Sequence, residues 1–183
     1  DGFQDFSINK NLSIVCFNEK QWIGNGLIIP SGPLREKLTA LKRASCVIIN
    51  GKKNTDNEKR ILSHNKEIKI FYTKYKAQNI DEFRNKKVIA FAGIGSPDSF
   101  FDLLKNNNID ILEKISFPDH YNYSDKELEN LINKAKENNT ILLTTEKDYL
   151  RIEENYKKNI NYLKIIVEIE NRNQFIEEIK KVI

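Results

Sequence analysis

The sequence predicts an α/β fold in which mostly parallel sheets are flanked by helices. Short apolar runs rich in β-branched residues alternate with polar, helix-like segments along the 183 residues. Continuous apolar runs of this length are typical of strands buried on both faces, as in a parallel sheet. The composition, 39% hydrophobic and 31% charged, is typical of a globular protein. No apolar run reaches the roughly 18 residues of a membrane-spanning helix, and no signal peptide is visible.

The apolar runs and the helix start signals predict the order of the elements. Ser96 with Pro97 predicts a helix through Leu104, because Pro is favoured in the first turn of a helix. Ser124 followed by Glu127 forms a capping box, which predicts the start of another helix. The predicted strands occupy residues 13–17, 46–50, 68–73, 88–93, 140–145 and 161–169.

Charge is distributed unevenly along the chain. Residues 1–87 carry 17 Lys and Arg against 9 Asp and Glu, whereas residues 88–183 carry 13 against 17. A basic segment suits phosphate-bearing partners or an anionic membrane surface, although solvated lysines alone account for it equally well. We place a boundary near residue 85 and predict two domains, residues 1–85 and residues 86–183, the second closed by a helix over residues 172–183.

The first of these domains looks incomplete. It carries two or three strands and few helices, too little for an independent core. Met occurs nowhere in the sequence, and the chain begins inside a loop-like motif, DGFQ at residues 1–4. We therefore expect a missing upstream segment.

The two cysteines are not expected to form a disulfide or a metal site. Cys16 and Cys46 each lie within an apolar run. Such positions are typical of buried thiols in a reducing compartment.

The opening motif contains a candidate magnesium ligand, Asp1. An acidic residue at the carboxyl end of a buried strand is how Walker B loops hold Mg²⁺ near phosphates. A structural turn explains the same four residues, so the motif alone leaves both interpretations open.

A loop rich in Gly and Pro, GNGLIIPSGPLRE at residues 24–36, is a candidate nucleotide contact. Loops of this composition often approach a ligand closely. Arg35 offers the paired donors that suit phosphate, and Glu36 follows at the start of a predicted helix that continues to Ala44. A rigid surface turn is the alternative.

A histidine at the end of a strand is the candidate for acid–base chemistry. His120 follows Asp119 in SFPDHY, and ligands of open α/β sheets bind at strand ends. A histidine beside a carboxylate can act as a general base near neutral pH, or tune one. A local Asp/His turn is the alternative.

Two further motifs are predicted at strand ends. The turn at residues 93–95 leads from a strand into a helix and would present backbone N–H groups to an anion, although a tight turn is the simpler interpretation. TTEKDYLR at residues 144–151 brings two hydroxyls and three charges to the edge expected for His120, or else is only a capped helix start. No G-x-x-x-x-G-K-[ST] occurs, so this sequence cannot cradle a triphosphate by that route.

The order and spacing of these motifs resemble the tetraacyldisaccharide 4'-kinase family, the lipid A 4'-kinases. The resemblance extends from residue 1 to about residue 152. The motifs that carry it are DGFQ, GNG with P-x-GPLRE, LKRA before VIIN, FAGIG-x-P-x-x-FF, FPDHY-x-Y and TTEKD-x-x-R. Two positions depart from the family pattern: Asp5 stands where a His usually follows Gln4, and Lys37 stands where Pro commonly follows LRE.

The resemblance implies a P-loop kinase-like N-terminal lobe, truncated here, and a smaller α/β C-terminal lobe. It implies transfer of phosphate from ATP, with Mg²⁺, to the 4'-hydroxyl of a tetraacyldisaccharide 1-phosphate in lipid A biosynthesis. It also implies that the reaction takes place at the cytoplasmic face of the inner membrane. A membrane-associating segment, the P-loop and the catalytic Asp would lie upstream of this chain. A fragment without the P-loop is expected to be inactive alone.

The resemblance also implies roles for residues of this chain. Asp1 matches the second carboxylate of a Walker B-like pair, a magnesium ligand. His120 matches the histidine that assists the catalytic base, and Arg35 with Glu36 matches the loop that closes over the nucleotide. On this hypothesis Asp1 and His120 converge on one cleft. A non-catalytic phosphate- or nucleotide-binding module and a purely structural interaction domain are the alternatives, and no nucleic-acid partner is expected.

Overall fold

A computed structural model describes residues 2–181 of the chain. Within them the chain forms two four-stranded sheets and divides into two compact units, with most of one sheet in the first unit and the other sheet in the second. The first unit takes the residues up to Lys74 and from Val167 onward, and the second takes Tyr75–Ile166. In the part described, no helix combines the length and the apolarity needed to cross a membrane.

The sheet of the first unit is built from apolar runs around a central pair of strands. Its strands, in the order β1-β2-β3-β8, are β1 Ile14–Asn18, β2 Cys46–Asn50, β3 Lys69–Ala77 and β8 Ile165–Ile169. Strand β2 runs parallel to both β1 and β3, with Ile48 opposite Cys16 on one side and Phe71 on the other. Parallel strands need long crossovers, and the segments between these strands provide them.

Short helices cover this sheet. Helix α1, Thr55–Leu62, begins at Asn54, whose side chain accepts hydrogen bonds from two backbone N–H groups of the first turn. Its Ile61 is fully buried in a core with Val47, Ile49 and Leu41. Two 3₁₀ segments, Gly2–Gln4 and Leu38–Arg43, and the terminal helix α6, Arg172–Lys180, complete the unit.

The second unit is a parallel sheet with helices on both faces. Its strands, in the order β5-β4-β6-β7, are β4 Lys87–Ala92, β5 Asp110–Ser116, β6 Ile141–Thr145 and β7 Asn161–Leu163. Strand β4 runs parallel to β5 and β6, and β6 runs parallel to β7. Its helices are a 3₁₀ turn at Ile80–Phe83, α2 Pro97–Asn106, α3 Asp125–Glu137, α4 Glu146–Arg151 and α5 Glu154–Lys157.

The central strand β4 explains why this unit is stable. Residues 88–92 are completely buried, and their side chains alternate between two apolar clusters. One cluster contains Phe101 and Leu104 of α2, and the other contains Leu128 of α3. A strand buried on both faces reads as a continuous apolar run, which is why VIAFA was recognisable in the sequence.

The α/β prediction is confirmed, including the capping box at Ser124. Three details differ. The helix expected from Glu36 is only the 3₁₀ segment Leu38–Arg43, and the run at residues 161–169 is two strands, interrupted at Lys164, whose N–H bonds to the side chain of Asn79. Cys16 is exposed, contrary to expectation, whereas Cys46 is buried.

The boundary between the two compact units also lies at a different residue from the boundary predicted near residue 85. Ile80 and Phe83 are buried in the same cluster as β4, so the second unit begins at Tyr75. The closing helix α6 belongs to the first unit, where Phe175 packs edge-on against Phe71 with ring centroids 5.0 Å apart. The assignment of domains 1–85 and 86–183 stays a prediction.

Candidate active site

Two groups of polar residues stand out, one in each unit. The group in the first unit surrounds a cavity of about 290 Å³. Its lining includes Gln4, Arg35 and Glu36 together with the apolar side chains of Phe17, Trp22 and Leu38. The cavity therefore brings the opening DGFQ motif and the end of the Gly/Pro-rich loop to one place.

Glu36 links these two motifs directly. Its Oε1 accepts a hydrogen bond of 2.9 Å from Gln4 Nε2 and another from the Arg43 guanidinium, with which it forms a salt bridge. The hydrogen bond from Arg43 is the main reason that the pKa of Glu36 lies below its ordinary value. Arg43 is itself stacked over the ring of Phe3, 4.3 Å from its centroid. Glu36 thus stays ionised and holds the side chain of Gln4 in place.

The loop before Arg35 is rigid because its own polar groups are satisfied. Asn25 accepts a hydrogen bond from the N–H of Leu27 and donates one of 2.7 Å to the carbonyl of Ser31. A side chain at Gly32 would place its Cβ 2.2 Å from the Asn25 amide oxygen and 2.4 Å from the Leu27 carbonyl oxygen, so only glycine fits there. The loop presents Arg35, which is exposed, on a fixed backbone.

The second group lies at the carboxyl end of the parallel sheet of the second unit. The segments that follow β4, β5 and β6 contain Gly93, His120 and Lys147. Lys147 Nζ lies 3.4 Å from His120 Nε2 and 3.6 Å from a carboxylate oxygen of Asp119. Because an ammonium group only donates, the contact between Lys147 and His120 is a hydrogen bond only when Nε2 carries no proton. The His120 side chain is 69% exposed, so the imidazole is open to a reactant.

Behind His120 lies a buried acid. Asp148 has no exposed surface and accepts hydrogen bonds from the backbone N–H of Gly93, from Thr145, from Tyr123 and from Arg151. Arg151 forms a salt bridge with it, and Nη1 of that arginine is buried without a hydrogen-bond partner among the described residues. An acid that is buried, paired and saturated with donors is held rigidly.

Two tyrosines next to this acid are kept in the neutral form. Burial, and then the negative charge of Asp148, raise the pKa of Tyr123 far above its ordinary value. The pKa of Tyr121 is raised mainly by its hydrogen bond to Glu127, of 2.7 Å. Both hydroxyls therefore act as hydrogen-bond donors in the range where proteins work.

The sequence placed some of these residues correctly and missed others. Arg35 and Glu36 do line one cavity, and His120 does lie at a strand end beside Asp119. Asp1 lies outside the described residues, so its convergence with His120 stays a prediction. Gln4, Arg43, Asp148 and Arg151 gained no individual role from the sequence; the only signal for the last two was their place in the polar TTEKDYLR motif.

The described residues contain no preformed metal-binding site made of protein side chains. Within residues 2–181 no group of three or more His, Cys, Asp or Glu is arranged to hold a metal ion. Mg²⁺ does not require one, because it is commonly held by one or two carboxylates together with substrate phosphates. The prediction that Asp1 holds Mg²⁺ is therefore left open by the rest of the chain.

The fold and the site define an α/β protein whose polar side chains gather at the carboxyl ends of parallel strands, the usual ligand-binding edge of such sheets. The family described as LpxK, tetraacyldisaccharide-1-P 4'-kinase, matches residues 1–183. The chain belongs to this family.

Relatives and a solved structure agree with this membership. The chain is 42% identical over 184 residues to tetraacyldisaccharide 4'-kinase of Pelagibacter ubique (strain HTCC1062), covering 99% of this chain and 59% of the relative. It is 36% identical over 181 residues to the kinase of that name from Rickettsia akari (strain Hartford), covering 99% and 55%. The crystal structure of the "apo" form of LpxK from Aquifex aeolicus in complex with ATP matches with a TM-score of 0.68 and 28% identity, covering 100% of this chain and 56% of that one. The chain thus spans less than two thirds of the length of these proteins.

Proposed function

We propose that this chain is part of a kinase that transfers the γ-phosphoryl group of ATP to the 4'-hydroxyl of a tetraacyldisaccharide 1-phosphate. The observation that carries the proposal is the match to the family over residues 1–183. The crystal structure with ATP of a relative similar over the whole chain supports ATP as the donor. In the reaction the hydroxyl oxygen bonds to the γ-phosphorus, the bond from that phosphorus to the bridging oxygen breaks, and ADP leaves.

The residues of this chain would act mainly by positioning and by charge, which is what phosphoryl transfer demands. Arg35, exposed at the end of a rigid loop, would contact the phosphates, with Glu36 holding the neighbouring segment through Gln4. His120 would assist the base that takes the hydroxyl proton, and its open imidazole suits that task. Asp1 would hold Mg²⁺, which neutralises charge on the transferred group.

A chimeric enzyme tests this function. The chain would replace the matching, 42% identical segment of the Pelagibacter ubique kinase, and transfer of ³²P from labelled ATP to tetraacyldisaccharide 1-phosphate would be measured. We expect transfer by the chimera and none by the 183-residue chain alone, because the sequence contains no P-loop motif. A folded chimera that binds ATP without transferring phosphate would favour a nucleotide-binding module instead.

Two substitutions in the chimera separate the predicted roles. His120→Ala should lower kcat by about 100-fold, the usual scale for lost acid–base assistance. Arg35→Ala should raise KM for ATP by about 10-fold, the loss expected for one charge-assisted hydrogen bond. Asn79→Ala is the matched control, because it removes two hydrogen bonds elsewhere in the second unit. Unchanged kcat in His120→Ala would contradict the assigned role.

The proposal includes contact with an anionic membrane, at the cytoplasmic face of the inner membrane, where the acyl chains of the substrate would remain. Three consecutive aliphatic side chains of the rigid loop are exposed: Leu27 by 52%, Ile28 by 36% and Ile29 by 54%. The loop needs no reordering to meet a bilayer surface, and Arg60 lies next to its Gly26. Exposed aliphatic side chains beside a positively charged side chain suit the interface of a membrane that contains anionic lipids.

Vesicle binding tests the membrane contact. Leu27→Ser with Ile29→Ser should weaken sedimentation of the chain with phosphatidylglycerol vesicles by about 10-fold, whereas Leu112→Ser and Leu150→Ser, at comparably exposed leucines of the second unit, should not. Binding should also fall in high salt. Equal losses in the loop and control variants would contradict this part of the proposal.

A further inference from the structure

We propose that Asp148 and Arg151, here called the Gly93 brace, are positioning residues that fix the backbone at Gly93 and through it the place of His120. The inference rests on the proposed role of His120. It assigns a task to the buried end of the TTEKDYLR motif, which the reaction described above does not use.

The carboxylate of Asp148 is fully used by protein donors. Its Oδ2 accepts from the backbone N–H of Gly93, at 3.1 Å, and from the hydroxyl of Thr145, at 2.6 Å. Its Oδ1 accepts from the hydroxyl of Tyr123, at 3.1 Å, and from Nη2 of Arg151. Four donors match the roughly four lone-pair sites of a carboxylate, so this side chain has no capacity left for a substrate. Its role is therefore internal to the protein.

Gly93 is held at both of its polar groups. Its N–H donates to Asp148, and its carbonyl oxygen accepts from Nη2 of Arg151, at 2.9 Å. The same carbonyl oxygen accepts the backbone N–H of His120, at 3.1 Å. Nη2 of Arg151 and the backbone N–H of His120 thus donate to the same oxygen atom. Any displacement of the Gly93 carbonyl would therefore displace the hydrogen bond that fixes the backbone of His120.

The bond to Gly93 acts on a backbone in an unusual conformation. His120 has φ = 59°, in the left-handed region that a residue with a side chain adopts only when its surroundings impose it. Among the described residues, its mostly exposed side chain makes long contacts with Lys147 and Asp119. A second backbone bond, from the N–H of Phe117 to the carbonyl of Ala92 at 2.9 Å, begins the same turn.

The packing around Gly93 shows that the arrangement is close-fitting. A Cβ at this position would lie 2.8 Å from the Tyr123 hydroxyl, 3.1 Å from Tyr121 Cβ and 3.2 Å from Asp148 Oδ1. The brace, the end of β4 and the turn that bears His120 are therefore in direct contact. A small displacement of a reacting group is enough to slow an enzyme by about 100-fold. A rigid support that keeps His120 in place would therefore keep kcat high.

Kinetics in the chimera test the brace through a double-mutant cycle. Asp148→Asn should lower kcat by about 30-fold while KM for ATP changes by less than about twofold, because the amide would turn a donor toward groups that themselves donate. In the His120→Ala background the same substitution should lower kcat by less than about twofold, since its effect passes through His120. Equal losses in both backgrounds would overturn the proposal and indicate a merely structural residue.

Variants of Thr145 and Arg151 cover the case in which Asp148→Asn does not fold, since that substitution leaves Arg151 without its buried partner. Thr145→Val removes one donor and keeps the ion pair, and should show a smaller loss of kcat with the same dependence on His120. Arg151→Lys should restore only part of the activity lost in Arg151→Gln, because an ammonium lacks the planar fork of the guanidinium. Full activity in both Arg151 variants would also overturn the proposal.

A measurement on the 183-residue chain separates this inference from the kinase assignment. Amide hydrogen exchange of His120 reports its bond to Gly93 directly and needs no turnover. We expect Thr145→Val and Arg151→Gln to speed it by about 10-fold and Asn79→Ala to leave it within about twofold. Unchanged exchange of the His120 amide in these variants would contradict the proposed brace, even if the chimera were active. Faster exchange in the variants together with an inactive chimera would count against the kinase assignment and not against the brace.

Discussion

At the scale of single residues, Gly93 leaves less room for a side chain than Gly95, the other glycine of the same turn. Gly93→Ala should lower the free energy of unfolding by about 1–3 kcal/mol, the usual cost of overpacking, because all three atoms it would meet belong to buried or ring-bearing side chains. Gly95→Ala is the matched control in the same turn: its Cβ would meet only the end of the exposed Asp119 side chain, at 3.3 Å. Urea unfolding of both variants measures the difference, and similar values would contradict this account.

The sequence could single out His120 and Arg35 as candidates but not the residues that surround them in the fold. A lone histidine at a strand end and an arginine after a Gly/Pro-rich loop have chemical signatures in the sequence itself. Asp148 and Arg151 carry no such signature, because their proposed role depends on contacts with Gly93. Gly93 lies 55 residues away from Asp148 in the sequence, but the two residues are hydrogen-bonded in the fold. Gln4 and Glu36, separated by 32 residues, are a second example.

At the scale of elements, the start of α3 is stabilised by its capping box. The Ser124 side chain accepts from the N–H of Glu127, and the Glu127 carboxylate accepts from the N–H of Ser124. Ser124→Ala should lower the free energy of unfolding by about 1 kcal/mol. Ser96→Ala at the start of α2 is the control, because the Ser96 hydroxyl bonds to the Ser99 hydroxyl and accepts no capping hydrogen bond from the backbone of the helix. Thermal melts of the two variants should therefore differ, and equal melting temperatures would contradict the role of the box.

The same box makes stability depend on pH. Hydrogen bonds from the Ser124 hydroxyl and from Tyr121 lower the pKa of Glu127 from its ordinary 4.5. A group with a lowered pKa in the folded state stabilises fully above its unfolded pKa, and this contribution is lost as pH falls through the folded pKa. We expect wild type to lose stability below about pH 4.5 more steeply than Glu127→Gln, as measured by urea midpoints from pH 7 to pH 3. Parallel profiles would contradict this.

The elements that the sequence predicted are those with a local signal in the chain. Strand β4 and helix α3 were recognisable because a continuous apolar run and a capping box are local signals. Strand β5 was not among the apolar runs, because its residues alternate between exposed and partly buried. The break between β7 and β8 was also missed, since it depends on Asn79, a residue distant in sequence that bonds to Lys164.

At the scale of the whole molecule, helix α6 should stabilise the first unit and leave the second unaffected. Phe175 of α6 packs on Phe71 of β3, and both belong to the first unit. Phe175→Ala should therefore speed amide exchange in β2 and β3 while exchange in β4 and β6 stays unchanged. Mass spectrometry of deuterated peptides measures both. Faster exchange in β4 would show instead that α6 supports the second unit.

The placement of β8 has a consequence for how the chain is made. Strands β1 and β2 and most of β3 precede the second unit in the chain, yet most of the fourth strand of that sheet, β8, follows it. Because domains tend to fold as units while they emerge from the ribosome, the second unit can finish folding while the part of the first unit made before it waits with an open sheet edge at β3. Nascent-chain arrest at successive lengths would reveal this order as protease resistance that arises in the second unit before the first.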